Sequence, residues 1–227
     1  RQRQMCIRDR CNLDCVFGQN YDISHFDGGV ETSTTELSRL MLTLQRRGCH
    51  NINLVTPTHV APQILEAIII ARKEGLIVPI VYNCGGYESV EMLRLLEGYV
   101  EIYMPDFKYA SAQAGLRYSG VSDYPEVAQL ALAEMYRQVG KLEIDRDGLA
   151  RRGVLVRHLV LPSDLADSQK VIDIVAETAP GCGINVMGQY HPCYRANEFD
   201  ELTRLPAREE IARLRQYALQ RGLIRVD

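Results

Sequence analysis

Hydrophobic and polar positions alternate along most of this chain with two distinct periods. Ser33-Thr34-Thr35-Glu36 has the form of a capping box. It opens a helical pattern with Leu37, Leu40, Met41 and Leu44 on one face, stopped by Gly48. Asn51 to Thr56 reads as a short strand. Pro62 suits a first helical turn, and Ile64, Leu65 and Ile68 follow before Gly75. Val78 to Tyr82 predicts a second strand, Ser89 to Leu96 a helix, and Val100 to Met104 a third strand. A helix is predicted from about Pro125 to Val139, with Val127, Leu130, Ala131 and Met135 inward. Lys141 to Gly153 is polar and centred on Asp147-Gly148, which predicts a small hairpin or long loop. Val154 to Leu161 is a fourth strand, Val171, Ile172 and Val175 mark a helix, and Ile184 to Met187 is a fifth strand. Ile211, Leu214 and Ala218 mark the last helix, ended by Gly222.

Strands alternating with amphipathic helices predict an α/β fold with a parallel sheet and right-handed crossovers. Five strand–helix units suggest a partial barrel or an open curved sheet. Each strand is followed by a polar stretch: TPTH, NCGGYE, PDFKY, PSD and GQYHPC. In such folds ligands bind at the C-terminal ends of the strands, so these stretches are the candidate site. No repeat or low-complexity segment interrupts the pattern.

The 227 residues are 46% hydrophobic and 24% charged, an ordinary globular balance that argues against disorder. The longest apolar runs, such as Ile68-Ile69-Ile70-Ala71, are too short to span a bilayer. The start has no apolar stretch of the kind a secretory signal needs. A net charge of −3 argues against nucleic acid as a partner. Residues 1–10 (RQRQMCIRDR) hold four Arg and one Asp, so they carry +3 and the rest −6. This decapeptide occupies the place where the alternation predicts a first strand. It is read as a non-native or disordered start, with the domain proper over 11–227.

Seven Cys, odd in number and unevenly spaced, do not suggest a disulfide framework. A reducing cytoplasm is the expected setting. Cys6, Cys11 and Cys15 fall within ten residues, whereas Cys49, Cys84, Cys182 and Cys193 read as small buried hydrophobes.

Residues 11–25 read CNLDCVFGQNYDISH. With Cys11, Cys15 and Phe17 in place, this segment resembles the cluster loop of the radical S-adenosylmethionine (SAM) superfamily, C-x3-C-x2-C with an aromatic before the last Cys. Gly18 stands where the third Cys falls. The stretches HNINLVTPTH, PIVYNCGGYES, YMPDFKY, VRHLVLP and GQYHP extend the resemblance to a branch similar to pyruvate formate-lyase activating enzyme.

The resemblance implies a partial (β/α)6 TIM-like barrel lacking or replacing its first strand. It implies a [4Fe-4S] cluster with Cys11 and Cys15 as ligands, and SAM cleaved reductively to a 5′-deoxyadenosyl radical. It implies an electron donor such as flavodoxin or ferredoxin, and a glycine of a partner enzyme as the hydrogen source. Phe17 belongs to the loop pattern. Thr58 lies where relatives grip the SAM amino group, and Asn83 where they place a ribose-binding Asp. Lys108 is implied to meet the SAM carboxylate, with Asp106 orienting it, Arg157 to contact SAM, and His191 to lie beside the adenine. By strand alternation His158 faces the other way. His25, His50 and His59 are weaker candidates.

Gly has no ligand atom, so two readings stand. One is an oxidoreductase of the radical SAM kind. The other is an inactive remnant or cluster-free SAM-binding module. A third, which ignores the Cys loop, is a barrel enzyme using Asp106 and Lys108 for acid–base or Schiff-base chemistry.

Overall fold

The order of the strands in space follows their order in the chain. The computed structural model describes residues 11–18 and 31–226. Helix α1 (Thr34–Arg46) leads to β1 (Ile52–Val55), α2 (Ala61–Lys73), β2 (Ile80–Cys84), α3 (Val90–Leu95) and β3 (Ile102–Pro105). Then come α4 (Ala112–Ser119), α5 (Tyr124–Val139), β4 (Glu143–Ile144), β5 (Ala150–Leu159), α6 (Ser168–Thr178) and β6 (Gly183–Met187). The chain ends in α7 (Arg208–Gln220) and β7 (Ile224–Arg225). The sheet runs β1-β2-β3-β5-β6-β7, and every pair along that path is parallel. This is the α/β, partial barrel-like architecture that the alternation predicts.

Right-handed crossovers between strands laid down in one direction put every helix on the same face of the sheet. Burial agrees. Tyr82, Tyr103, Val154, Val156, His158 and Ile184 point to the helices and are 0% exposed. Register places Val55, Asn83 and Met104 side by side on the opposite face, with Asp106, Arg157 and Asn185 in the row above. That face carries the polar groups and is the concave side of the curved sheet.

Local chemistry explains the elements. Ser33 Oγ accepts from Glu36 N at 3.2 Å and Glu36 Oε2 accepts from Ser33 N at 3.0 Å, so the capping box starts α1 as predicted. Asp145 accepts from the backbone of Asp147 and Leu149, which closes the turn between β4 and β5. The polar stretch is therefore the expected small hairpin, antiparallel against β5.

Some expectations need correction. Leu40 and Leu130, expected on inward faces, are exposed. The inward stripe of α5 is Ala128, Ala131, Leu132 and Met135, one step round the helix. Helix α4 is not legible in AQAGLRYS, because Gly115 and short side chains blur its period. Gly115 is there for space, since a Cβ would collide with the Val121 carbonyl. β7 is two residues long and pairs only at the sheet edge, so it leaves no alternating pattern. Residues 1–10 and His25 lie outside the described residues. No helix among the described residues is long and apolar enough to cross a membrane.

Candidate functional site

The Cys11–Gly18 loop lies across the C-terminal ends of the strands and is pinned by its backbone. Asp14 N and Val16 N donate to the Ser119 and Tyr118 carbonyls at the end of α4, and Val16 O accepts from Arg195 N. Asn12 Nδ2 donates to Tyr87 O at 2.6 Å. Leu13 packs on Gly85. The Phe17 ring is buried edge-on between Tyr109 and Tyr190, with centroids 6.4 and 6.0 Å away. Phe17 therefore anchors the loop to the core.

Cys15 Sγ lies 3.0 Å from Ser119 Oγ, which is 2.8 Å from Tyr109 Oη. Burial pushes the Cys15 thiol up, and the nearby Lys108 ammonium and the Ser119 contact pull only partly against it. Cys11 is half-buried and close enough to Cys15 to act on it electrostatically. Gly18 closes the turn through its N–H to Cys15 O at 3.1 Å. Its φ lies outside the left-handed region, and among the described residues a Cβ there would meet only the Cys15 carbonyl, at 3.4 Å.

Beneath the loop sits one carboxylate with two cations. Asp106 Oδ2 accepts from Lys108 Nζ at 2.6 Å, and Asp106 Oδ1 is 2.6 Å from Arg157 Nη2. Burial alone would raise the Asp106 carboxyl, but the two cations outweigh it and hold it below its usual range. Burial alone would lower Lys108, and Asp106 reverses that so the ammonium stays charged. The cluster carries a net +1. Tyr124 fixes the strand end beside it, donating toward Gly85 O and Asp106 O at 3.0 and 3.1 Å and accepting from Lys108 N at 2.9 Å. Gly86 has φ +82°, and a Cβ there would run into the Asp106 carbonyl, so this approach needs glycine.

The adjoining corner belongs to Glu88, which spacing alone does not single out from the NCGGYE stretch. It is 4% exposed. Its carboxylate accepts from Thr58 Oγ1 at 2.6 Å and Tyr82 Oη at 3.0 Å. Burial raises its carboxyl to about 7, with the hydroxyl bonds opposing. An acid two residues after a Gly-Gly at a strand end was the available signal. Thr58 thus spends its hydroxyl on Glu88. Thr56, just past β1, is a β-branched residue at φ 50°, a strained conformation.

Among the described residues the Oδ1 of Asn83, which is 4% exposed, has no hydrogen-bond partner, and the Arg157 Nε is likewise buried without one. His191 is exposed, with Nδ1 3.3 Å from Gln189 O. His158 bonds Phe107 O and Ser168 Oγ on the helix side. His50 and His59 are surface residues. Cys84 and Cys182 are buried, as expected, whereas Cys49 and Cys193 are half-buried. The structure brings together Cys11, Cys15, Asp106, Lys108, Arg157 and Asn83 around the strand ends.

A [4Fe-4S] cluster of the implied kind takes three thiolates. The loop offers two. Among the described residues no group of three His, Cys, Asp or Glu side chains is placed to hold a metal ion. The donor set does not fit the cluster.

No family model matches the sequence. An uncharacterized protein of Methanocaldococcus jannaschii, MJ0674, is 30% identical over 220 residues, which is 92% of this chain and 59% of that protein. Among solved structures, HydG, a maturase of the [FeFe]-hydrogenase, superposes with a TM-score of 0.63 at 11% identity, over 96% of this chain and 48% of HydG. Streptococcus suis SuiB bound to precursor peptide SuiA gives 0.62 at 11%, over 98% and 48%. SuiB bound to S-adenosylmethionine gives 0.57 at 12%, over 96% and 45%. The chain shares their fold. It spans about half the length of those structures and about three-fifths of the archaeal relative.

Proposed function

We propose that this chain is a radical SAM protein whose strand-end site binds SAM. The observation that carries this reading is the Asp106–Lys108–Arg157 cluster, a net positive charge under the Cys loop. A ligand carboxylate pairs with the outer faces of Lys108 and Arg157, where charge-assisted bonds are strongest. The unpartnered Asn83 Oδ1 accepts a ribose hydroxyl, which removes the cost of an orphaned buried acceptor. The amino group meets the corner built by Thr58 and Glu88. The SAM bound to SuiB, a protein of the same fold, supports this choice of ligand. Calorimetric titration with SAM, beside Lys108→Ala, tests it.

A second reading is favoured by the space at Gly18. Among the described residues a Cβ at position 18 would meet Cys15 O alone, at 3.4 Å, so the loop has room for a side chain there. Reductive SAM cleavage, with an electron from flavodoxin or ferredoxin and hydrogen abstraction from a glycine of a partner enzyme, belongs to the form with Cys at position 18. The present chain binds SAM without cleaving it.

A further inference from the structure

The Cys loop is held from two sides, and the two holders are tied to each other. Its first half rests on the chain that follows β2, through Asn12 on Tyr87 O and Leu13 on Gly85. Its second half lies between α4 and the segment 188–207 that joins β6 to α7. Val16 spends both backbone groups there. Val16 N donates to Tyr118 O of α4 at 3.0 Å, and Val16 O accepts from Arg195 N of the segment at 2.9 Å. The same segment sets the Tyr190 ring against Phe17, donates from Cys193 Sγ to Phe17 O at 3.3 Å, and brings Arg195 Nη1 within 3.7 Å of Asp14 Oδ2. It is a strap across the loop. Its regular structure is two short 3₁₀ turns, Ala196–Glu198 and Asp200–Leu202, so its position depends on what it is fastened to.

The fastening is Arg117. Glu201 Oε1, on the strap, accepts from Arg117 Nε at 2.8 Å, Arg117 Nη2 at 2.6 Å and Tyr118 Oη at 2.9 Å. The guanidinium also lies over the Tyr118 and Phe199 rings, 5.7 and 5.3 Å from their centroids, and those two rings meet edge-on. An exposed ion pair alone contributes little. This one gathers three donors on one oxygen and two ring contacts, a set that suits a guanidinium and not an ammonium. Arg117 is also the neighbour of Tyr118, whose carbonyl holds Val16. Helix α4, loop and strap therefore close a ring.

We propose that Arg117 and Glu201 are positioning residues for the candidate site: they hold the strap down on the Cys loop, and the strap keeps Cys15 over the strand ends. They act through Arg195 and Val16, and the inference stands apart from the identity of the ligand.

The test is residue-resolved amide hydrogen exchange on the whole chain, in the parent, Arg117→Ala and Glu201→Ala. The Arg195 amide, bonded to Val16 O, reports on the strap. The Gly120 amide, bonded to Leu116 O, reports on α4, and the Asp106 amide, bonded to Cys84 O, on the sheet. The expected result is exchange at Arg195 faster by roughly tenfold or more in both variants, with Gly120 and Asp106 at parental rates. Arg117→Lys keeps the charge without the fork and falls between the parent and Arg117→Ala. Alkylation of Cys15 by iodoacetamide, mapped by mass spectrometry, speeds up in the alanine variants while the buried Cys84 and Cys182 do not change. In the parent, added salt screens a pair whose side chains are 51% and 28% exposed, and speeds Arg195 relative to Asp106; in Glu201→Ala it has no such effect. The salt arm on the parent decides the matter where a variant fails to fold. An unchanged Arg195 rate overturns the proposal. So does acceleration confined to Gly120, the mark of a contact local to α4, or shared equally by Asp106, the mark of global destabilisation.

Discussion

Asp106 and Arg157, on neighbouring strands, share an isolated parallel bridge, a backbone bond from Phe107 N to Arg157 O at 2.9 Å, and an ion pair of 2.6 Å. The site's charges are thus held by the sheet itself. Asp106→Asn leaves Lys108 and Arg157 facing each other without their anion. Breaking such a pair costs about 2 kcal/mol here, below the value for full burial because the side chains are 18–29% exposed. The carboxyl is held below its usual range when folded, so its contribution is present above about pH 4 and is lost as pH falls through the lowered value. Urea unfolding of both proteins should differ at pH 7, and the difference should shrink as pH falls below the usual carboxylate range.

Glu88 has the opposite sign. Its carboxyl titrates at about 7 when folded against roughly 4.3 when unfolded. The unfolded chain ionises first as pH rises, so stability falls between those values and is flat above them. The penalty at pH 8 is on the order of 3 kcal/mol. Glu88→Gln should melt higher than the parent at pH 8 and show little difference at pH 4, in a pH series of thermal unfolding.

Tyr124 ties Gly85, Asp106 and Lys108 together through one buried hydroxyl. Tyr124→Phe leaves these backbone groups without it, at about 1–3 kcal/mol. SAM affinity should fall with stability, since the loss loosens the strand end carrying Lys108. A chemical denaturation curve and a SAM titration on one preparation check both.

Much of this was legible in the sequence because the two periods differ so plainly. The five long strands and the capping box at Ser33 follow from local spacing. The strand-end stretches pointed to the candidate site because parallel sheets with right-handed crossovers put loops and ligands at the same edge. What escaped depends on long-range contacts. Glu88 gains its role only when Thr58 and Tyr82 close over it. Leu130 misled because one exposed leucine on a largely apolar helix shifts the apparent stripe.

Gly18→Cys tests the loop. Among the described residues position 18 has room, and its φ is ordinary, so the variant should fold with a melting temperature within a few degrees of the parent. After anaerobic incubation with iron and sulfide it should hold more iron per chain than the parent and release 5′-deoxyadenosine from SAM with dithionite. Iron at parental levels would show that the third thiol is not the missing element.

The measurement that bears most directly on the account is the affinity of the chain for SAM, by isothermal titration calorimetry, against Lys108→Ala. The account predicts saturable one-to-one binding by the parent and affinity at least tenfold weaker in the variant, about 1.4 kcal/mol or more. Absence of saturable binding by a folded parent, or equal affinity in the two proteins, would contradict it.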